Sequence, residues 1–338
     1  MKLLTNTRVV VLADHLADLG ASILARLGAD VVVASKPASM SSAGEAAQQE
    51  GIDFSLDPLE TLLPDADILL DDRRSCFERA DVDQLAASHA NLVHVVVTGW
   101  PEGRPQRPAT DLTLMAQSGL MTVTGTPDKP PLRLPGEQAY ALTGIQVATA
   151  ALLGLQARRR TGAGQRIAVS GLQSSALANY REAVMFEWTG RIGTRRGNML
   201  VRGKSGVRQM WPCADGFVTW SMIDNPGMMR ALVGAMHAEG LAGELAEIAW
   251  DKILVADTDQ DVIERWQALV AKFFARHTRA ELAEMSLLQG WGLSPIVKLA
   301  EVPNSPQMKA RGVFERSADG ASLPGPLFAV HGLEGEPT

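Results

Sequence analysis

The segment RVVVLADHLADLGASILARLGADVVVA, residues 8–34, decides the fold prediction for this chain. Residues 8–12 and 31–34 are short runs rich in valine, which is typical of strands buried on both faces. Between them, apolar residues recur at helical spacing from about residue 16 to residue 27, and Gly28 follows as a helix-ending residue. Strand, helix and strand in this order form a βαβ unit, which predicts a parallel sheet with a right-handed crossover.

Further apolar runs at residues 67–70, 92–97 and 165–170 extend the predicted sheet. The N-terminal half is therefore predicted to be a Rossmann-like α/β domain. The turn after the first strand, ADHLAD at residues 13–18, lacks the G-x-G-x-x-G pattern that lets a backbone approach a pyrophosphate. The sequence therefore disfavours an ordinary dinucleotide-dependent dehydrogenase.

The C-terminal half has a different pattern. A helix is predicted from residue 171 to about residue 188, and the arginine- and glycine-rich residues 191–208 are predicted to form an extended linker or loop. Asp215-Gly216 predicts a hairpin turn between two strands. A mostly helical region is expected to follow, from residue 225 to about residue 288.

Composition excludes several classes of protein. The formal net charge of −6 argues against a general nucleic-acid binder, which carries a basic stripe. We found no uninterrupted apolar run near the ~20 residues needed to span a bilayer, and no apolar region typical of a signal peptide at the N-terminus. Cys76 and Cys213 lie far apart, and the six histidines show no zinc-site spacing, so we predict a cytoplasmic protein without disulfides or a metal site.

The stretch PPLRLPGEQAYALTGIQVATAALLGLQARRRTGAGQ, residues 130–165, combines polar chemistry with core packing. It predicts a loop, then a long apolar helix that starts at Thr143-Gly144 and ends at Gly162 as its C-cap. Polar side chains and free backbone N–H groups at the start of such a helix stabilise an anion or a developing negative charge. A buried helix with an ordinary polar cap has the same pattern, so both interpretations stay open here.

Several short motifs, in this order along the chain, resemble those of class III CoA-transferases. That family includes formyl-CoA:oxalate transferase, carnitine CoA-transferase, benzylsuccinate CoA-transferase and methylacyl-CoA racemase. The motifs are LGADVV at residues 27–32, DDRRSCFER at 71–79, TGW at 98–100, TDL and QSGLM within 110–121, TGAGQRI at 161–167, RGN at 196–198 and CADGFV at 213–218.

The resemblance implies an enzyme that moves CoA between an acyl-CoA and a carboxylic acid, with CoA as substrate and no covalently bound cofactor. It implies an α/β fold: a Rossmann-like parallel-sheet large domain and a smaller α+β domain, in chains interlocked as a homodimer or as a heterodimer with a paralogous subunit. The expected division is a large CoA-binding domain at 1–190, a linker at 191–203, a small domain at 204–299 and a return segment at 300–338. Family members are expected to continue into a last helix, so either a truncated chain or a completing partner is expected.

The residue expected to do the chemistry departs from the family pattern. Alignment on Thr143-Gly144 puts Tyr140 where the family has its nucleophilic aspartate, and Glu137 is the nearest carboxylate. Sequences similar to the benzylsuccinate transferase subunits carry a comparable PQAY, and some of those enzymes pair a catalytic with a non-catalytic subunit. The alternatives are therefore a catalytic transferase subunit, a silent CoA-binding partner, or an acyl-CoA racemase with His15 and Glu137 as its acid–base pair.

Other site residues follow from the resemblance. Arg73 stands at the family's CoA-binding arginine, and Arg74 is a weaker candidate beside it. Arg133 precedes the active loop and is a candidate phosphate contact, and Thr143 and Gly144 complete the expected CoA-binding set. His15 occupies the position after the first strand from which a side chain could hydrogen-bond an acyl oxygen. The expected catalytic set is therefore Glu137, His15 and Tyr140.

Overall fold

The computed structural model describes residues 3–12, 15–34, 52–55, 57–72, 79–105, 107–316, 320 and 322–325. These residues divide into two compact units. One takes its described residues from 1–124, 131–193 and 312–338, and the other from 125–130 and 194–311.

A parallel sheet of six strands forms the centre of the first unit, in the order β3-β2-β1-β4-β5-β6. Every neighbouring pair in it is parallel. The βαβ prediction is thus confirmed, with Arg8 opposite Asp30 and Val11 opposite Val33 in the register of the first two strands. The strands are β1 Arg8–Leu12, β2 Asp30–Ala34, β3 Ile52–Ser55, β4 Ile68–Asp71, β5 Val93–Thr98 and β6 Arg166–Ser170.

Helices cover both faces of this sheet. One face packs against α1 and α6, and the other against α2 and α3. Because β4 and β5 are buried along their whole length, their near-continuous apolar sequences fit a sheet covered on both sides. The helices of this unit are α1 Asp18–Arg26, α2 Leu59–Leu62, α3 Arg79–Ala87, α4 Asp111–Gln117, α5 Leu120–Val123, α6 Gln138–Thr161, α7 Gly171–Leu177 and α8 Tyr180–Thr189.

The central helix α6 starts at Gln138, five residues before the predicted start, so the prediction of a start at Thr143-Gly144 is wrong. Its other end is as predicted, because Gly162 adopts the left-handed conformation (φ 74°) and its N–H bonds to the carbonyl of Arg158. The helix is long and apolar enough to cross a membrane by length and composition alone. Core helices pass the same test, and α6 packs against α1, β5 and β6.

Close approach of two helix backbones fixes how α1 and α6 pack. A Cβ atom added at Gly144 would lie 2.6 Å from Cβ of Leu19 and 3.0 Å from the backbone nitrogen of Gly20. A Cβ atom added at Gly20 would lie 2.7 Å from Val147 and 3.0 Å from the carbonyl oxygen of Gly144. Glycine at both positions therefore lets the two helices touch.

The predicted single helix at residues 171–188 is wrong, since the structure has α7 and α8 with a break between them. The break falls at Ala178 and Asn179, and Asn179 leaves helical geometry with φ −113° and ψ 15°. All residues of α8 remain at least partly exposed.

The second unit is built from hairpins, helices and short 3-10 turns around a core rich in tryptophan. Within residues 191–208, predicted as an extended linker or loop, the structure instead has the hairpin β7–β8, turned at Gly203 with φ 66°. The predicted hairpin is confirmed, but its turn lies one residue earlier than the predicted Asp215-Gly216, at Ala214 and Asp215, because Gly216 already pairs with Cys213. The strands are β7 Met199–Arg202, β8 Ser205–Arg208, β9 Met210–Cys213, β10 Gly216–Thr219 and β11 Ser294–Pro295.

The predicted helical region from residue 225 to about 288 is confirmed. Its helices are α9 Pro226–Ala238, α10 Gln260–Phe274 and α11 Arg279–Gln289, with 3-10 turns at Gly243–Glu247, Trp250–Lys252 and Val255–Asp257 between the first two. A 3-10 turn at Leu299–Asn304 and the helix α12 Pro306–Ala310 close the second unit. In the first unit, β12 Phe314–Arg316 pairs with β13 Ser322–Pro324.

Candidate functional site

The order of strands points to one end of the sheet as the candidate site. The chain runs outward from β1 through β2 to β3, and then returns to β4 on the other side of β1. In open parallel sheets, ligands bind in the crevice at the carboxyl ends of the strands where the order reverses in this way. His15 follows β1, the buried Asp71 ends β4, and the buried Asp72 follows it. Arg73 and Arg74, the predicted CoA contacts after β4, lie outside the described residues.

His15 has an unusual backbone conformation. Its φ of 120° lies in the region that favours glycine, where a side chain costs on the order of 1–3 kcal/mol. Its side chain is about half exposed, and its Nδ1 lies 3.8 Å from Oδ2 of Asp18. Such strain is concentrated at functional sites, because a fold retains it only where a side chain must be held in one place.

Tyr140 lies beside His15. The two rings are parallel within 3°, and their centroids are 6.2 Å apart. The phenol O–H of Tyr140 donates to the carbonyl oxygen of Ala109 at 3.4 Å. The structure thus brings together two of the three residues in the predicted catalytic set, one from the end of β1 and one from the first turn of α6.

Asp111 holds that first turn, and sequence reasoning missed it. Its Oδ1 accepts from the backbone N–H of Ala139 at 2.7 Å and from that of Tyr140 at 3.3 Å. The side chain is 5% exposed. Because the bonded residues are 28 and 29 positions away in sequence, no local spacing indicates this cap. The one available signal was the position of Asp111 in the TDL motif, directly after the helix-capping Thr110.

Arg133 also contacts Asp111. Its Nη2 donates to Oδ2 of Asp111 at 3.3 Å and to the carbonyl oxygen of Gly136 at 2.9 Å. Gly136 has φ 77°, a conformation that favours glycine. The guanidinium predicted to contact a phosphate is therefore engaged with a carboxylate and with the loop before α6.

Glu137 is the N-cap residue of α6 and is exposed. Its backbone carbonyl accepts from the N–H of Ala141 at 2.9 Å. Within the described part of the chain, its side chain makes no capping hydrogen bond to the helix. Its carboxylate is accordingly available to solvent at the entrance of the helix.

Thr143 and Gly144, predicted to bind CoA, lie inside the packed helix. Thr143 is fully buried, and its hydroxyl donates to the carbonyl oxygen of Ala139 at 2.7 Å. Gly144 is buried where α6 crosses α1. Both assignments depended on the helix starting at these residues, and the earlier start at Gln138 moves them one turn into the core.

The arrangement changes the expected chemistry of the helix entrance. The start of the helix was expected to offer free N–H groups to an oxyanion, but at the observed start the Asp111 carboxylate already accepts from the N–H groups of Ala139 and Tyr140. The groups at the entrance that can face a ligand are therefore the His15 imidazole, the Tyr140 phenol and the Glu137 carboxylate. Among the residues described, no group of three or more His, Cys, Asp or Glu side chains could hold a metal ion.

Comparison with known proteins identifies the family. The family model described as CoA-transferase family III matches residues 55–337, which is most of the chain. The chain belongs to CoA-transferase family III. The resemblance found in the sequence motifs is therefore confirmed, and the site at the carboxyl ends of β1 and β4 lies in a member of that family.

Curated relatives carry transferase names. The chain is 27% identical, over 91% of its length and 82% of the relative's, to succinyl-CoA:(R)-benzylsuccinate CoA-transferase subunit BbsE of Thauera aromatica. It is 26% identical to acetyl-CoA:oxalate CoA-transferase of Acetobacter aceti, over 75% of this chain and 63% of that one. Succinate–glutarate CoA-transferase of Agrobacterium fabrum is 27% identical over 72% of this chain and 60% of its own.

Solved structures share the fold. A CaiB/BaiF family protein from Brucella suis superposes with a TM-score of 0.76 at 24% identity, covering 96% of this chain and 92% of its own. A protein from Mycobacterium tuberculosis gives a TM-score of 0.72 at 18% identity, covering 98% and 93%. The mixed α/β architecture of this chain, with its parallel sheet and small antiparallel sheets, is thus the architecture of that fold.

Proposed function

We propose that this chain is a subunit of a CoA-transferase that moves CoA between an acyl-CoA and a carboxylic acid, with the reacting acyl group at the entrance of α6. The observation that carries the proposal is the parallel pair of His15 and Tyr140 rings at the crevice end of the sheet. Membership of CoA-transferase family III and the transferase names of the relatives support the reaction class. The acid itself is not specified by the residues at this entrance.

The nucleophile decides which kind of subunit this is. In carboxylate catalysis, an ionised carboxylate attacks the acyl-CoA carbonyl, and a mixed anhydride forms while CoA leaves as its thiolate. The resemblance assigns the attacking aspartate to the position of Tyr140, and a phenol does not readily form an acyl anhydride. Of the carboxylates at the entrance, Asp111 is buried and engaged by three donors, whereas Glu137 is exposed.

The geometry favours a subunit that binds substrate but receives its nucleophile from a partner chain. Glu137 lies at the N-cap, three positions before Tyr140, and so does not occupy the position that the resemblance assigns to the attacking aspartate. Tyr140 contacts Ala109 through its hydroxyl and His15 through its ring. We therefore assign it the role of lining the site and not of attacking the substrate. A catalytic form with Glu137 as nucleophile is the alternative.

An apolar stripe on α8 supports a partner chain. Tyr180, Val184 and Trp188 recur at helical spacing along one side of α8, and Trp188 is 85% exposed. Together, Tyr180 and Trp188, which are 68% and 85% exposed, present on the order of 230–380 Å² if a full aromatic side chain presents roughly 150–250 Å². That is comparable with the largest apolar patches of ordinary monomers, which are roughly 300–600 Å² and are often functional. A second copy or a paralogous subunit fits this surface.

The test is to assay the chain alone and together with a paralogous family subunit. We expect CoA transfer only in the mixture, and no effect of Glu137→Ala on the rate of the mixture beyond about twofold, since the assay then depends on the partner's carboxylate. Activity of the lone chain that is abolished by Glu137→Ala would establish the catalytic alternative. Trapping with hydroxylamine or borohydride, followed by peptide mass spectrometry, identifies which chain carries the acylated residue.

A further inference from the structure

We propose that Asp111 is a positioning residue of this site: its carboxylate fixes the first turn of α6 and, through that turn, the Tyr140 ring that faces His15. The proposal rests on the proposed function only in taking the entrance of α6 as the reacting site. The observation behind the proposal is that the buried Asp111 carboxylate of α4 accepts hydrogen bonds from the first turn of α6.

Asp111 joins the N-terminal ends of two helices. It belongs to the first turn of α4, where Thr110 caps the helix by accepting from the N–H of Thr113 at 3.2 Å. Its own carboxylate then caps α6, through the N–H groups of Ala139 and Tyr140. Hydrogen bonds to an ionised acceptor are roughly twice as strong as neutral ones, and the dipoles of both helices favour a negative charge at this point.

Tyr140 is held at both ends by the same short segment of chain. Its backbone N–H donates to Asp111, and its phenol O–H donates to the carbonyl oxygen of Ala109, two residues earlier. Any shift of residues 109–111 therefore moves the backbone and the phenol of Tyr140 together. The distance between its ring and that of His15 is set through this segment.

The second carboxylate oxygen of Asp111 is connected, through Arg133, to the loop before α6. Oδ2 of Asp111 accepts from Nη2 of Arg133, which also donates to the carbonyl oxygen of Gly136. Gly136 directly precedes Glu137, so the position of the Glu137 N-cap follows from the same ion pair. Asp111 is therefore connected to Glu137 as well as to Tyr140.

The cap of α6 comes from a different helix and not from the N-cap residue of α6 itself. A helix is usually capped by the side chain of its own N-cap residue, here Glu137. In the part of the chain that the structure describes, Glu137 makes no such bond, and the cap comes from another helix instead. Capping by Asp111 leaves the Glu137 carboxylate outside the helix entrance, where it can meet a ligand.

The chain has two tyrosines, Tyr140 and Tyr180, which makes the proposal testable by ¹⁹F NMR of the full chain labelled with 3-fluorotyrosine. A Tyr180→Phe variant assigns the two resonances. We expect Asp111→Ala to shift or broaden the Tyr140 resonance and to leave that of the exposed Tyr180 unchanged. We expect Asp111→Asn to restore most of the native signal, because the amide oxygen still accepts from the N–H groups of Ala139 and Tyr140.

Hydrogen exchange gives a second, independent measurement on the same variants. Amide exchange in peptides covering Ala139 and Tyr140 should accelerate by about tenfold or more in Asp111→Ala, since hydrogen bonds to charged groups contribute ~1.5–3 kcal/mol. In Asp111→Asn the acceleration should be smaller than in Asp111→Ala, because neutral hydrogen bonds still contribute ~0.5–1.5 kcal/mol, and in the matched surface control Asp128→Asn exchange should stay within about threefold of the wild type. If Asp111→Ala does not fold, Arg133→Gln replaces it, and we expect that variant to disturb the Tyr140 resonance through Gly136.

Two results would overturn the proposal. One is a Tyr140 resonance and local exchange that are unchanged in a folded Asp111→Ala. The other is equal disturbance of Tyr140 and Tyr180 in both Asp111 variants, which would indicate a purely structural role. Neither measurement uses CoA or a transferase assay, so an inactive chain does not affect the outcome, and a failed proposal about Asp111 leaves the proposed function standing.

Discussion

The rings of His15 and Tyr140 lie parallel within 3°, with their centroids 6.2 Å apart, although the two residues come from different elements of the fold. His15 is held in a strained backbone conformation after β1, and Tyr140 is held at its amide and its phenol by residues 109–111. The backbones of both residues are therefore held by the fold itself. A preorganised pair at the crevice end of a parallel sheet is suited to orienting an acyl group.

Tyr140→Asp should give this chain a nucleophile of its own. The new carboxylate would lie in the first turn of α6, at the position that the family resemblance assigns to the attacking aspartate. We expect the variant, incubated with an acyl-CoA, to yield a hydroxylamine-sensitive adduct on residue 140, detected by peptide mass spectrometry. Tyr140→Phe is the matched control and should yield none. An adduct on Glu137 in the unmodified chain would instead show that this subunit already reacts.

Replacing His15 by glycine should stabilise the chain and remove the imidazole ring that lines the site beside Tyr140. Glycine relieves a backbone strain on the order of 1–3 kcal/mol, and its own entropic cost is roughly 0.5–1 kcal/mol. We therefore expect the free energy of unfolding, from urea titration, to rise by about 1 kcal/mol while acyl-CoA binding weakens. Asn6→Gly is the control, because Asn6 has φ 66°, which asparagine tolerates, and its effect should stay within about 0.5 kcal/mol. A loss of stability in His15→Gly would contradict the strain argument.

The inner strands β1, β4 and β5 of the large sheet could be predicted because their burial on both faces leaves a near-continuous apolar signal. β3 was missed, since Ile52–Ser55 is short and mixes polar with apolar residues. The start of α6 was missed for a different reason. The sequence before Thr143 has no good local cap, and the carboxylate that caps the helix at Gln138 comes from Asp111, which is remote in sequence. Tertiary contacts of this kind leave no periodic pattern, so the sequence could indicate a candidate site at the entrance of α6 but not its hydrogen bonds.

Gly144→Ala should destabilise the first unit. The added methyl group would lie 2.6 Å from Cβ of Leu19, which cannot move without the backbone of α1, so the two helices must separate. We expect a loss of about 1–3 kcal/mol in the free energy of unfolding, the usual cost of overpacking a core. The matched control is Gly234→Ala in α9, where nothing lies within 4 Å of the added atom and alanine should stabilise the helix by about 0.5–1 kcal/mol. Equal effects of the two substitutions would contradict the close packing of α1 and α6.

The ion pair of Arg279 and Glu301 should make the second unit sensitive to acid. The two side chains form a pair of hydrogen bonds, of 2.9 and 3.0 Å, which join α11 to the 3-10 turn at Leu299–Asn304. The guanidinium, together with the backbone N–H of Lys298, lowers the pKa of Glu301 from its ordinary 4.5 to about 2. A lowered carboxyl pKa stabilises the folded state above the ordinary value, and that contribution disappears as the pH falls from about 4.5 to about 2.

Glu301→Gln isolates this contribution, because the amide keeps the shape of the side chain and removes its charge. We expect a lower melting temperature than that of the wild type at pH 7, and a difference that shrinks as the pH falls through the window from 4.5 to about 2, where the wild-type carboxylate becomes protonated. Differential scanning calorimetry in steps of half a pH unit measures this directly. The exposed Glu284→Gln in α11 is the control and should follow the wild type at every pH. A difference between Glu301→Gln and the wild type that stays constant down to pH 2 would show that the pair stabilises the fold through shape and not through the charge on Glu301.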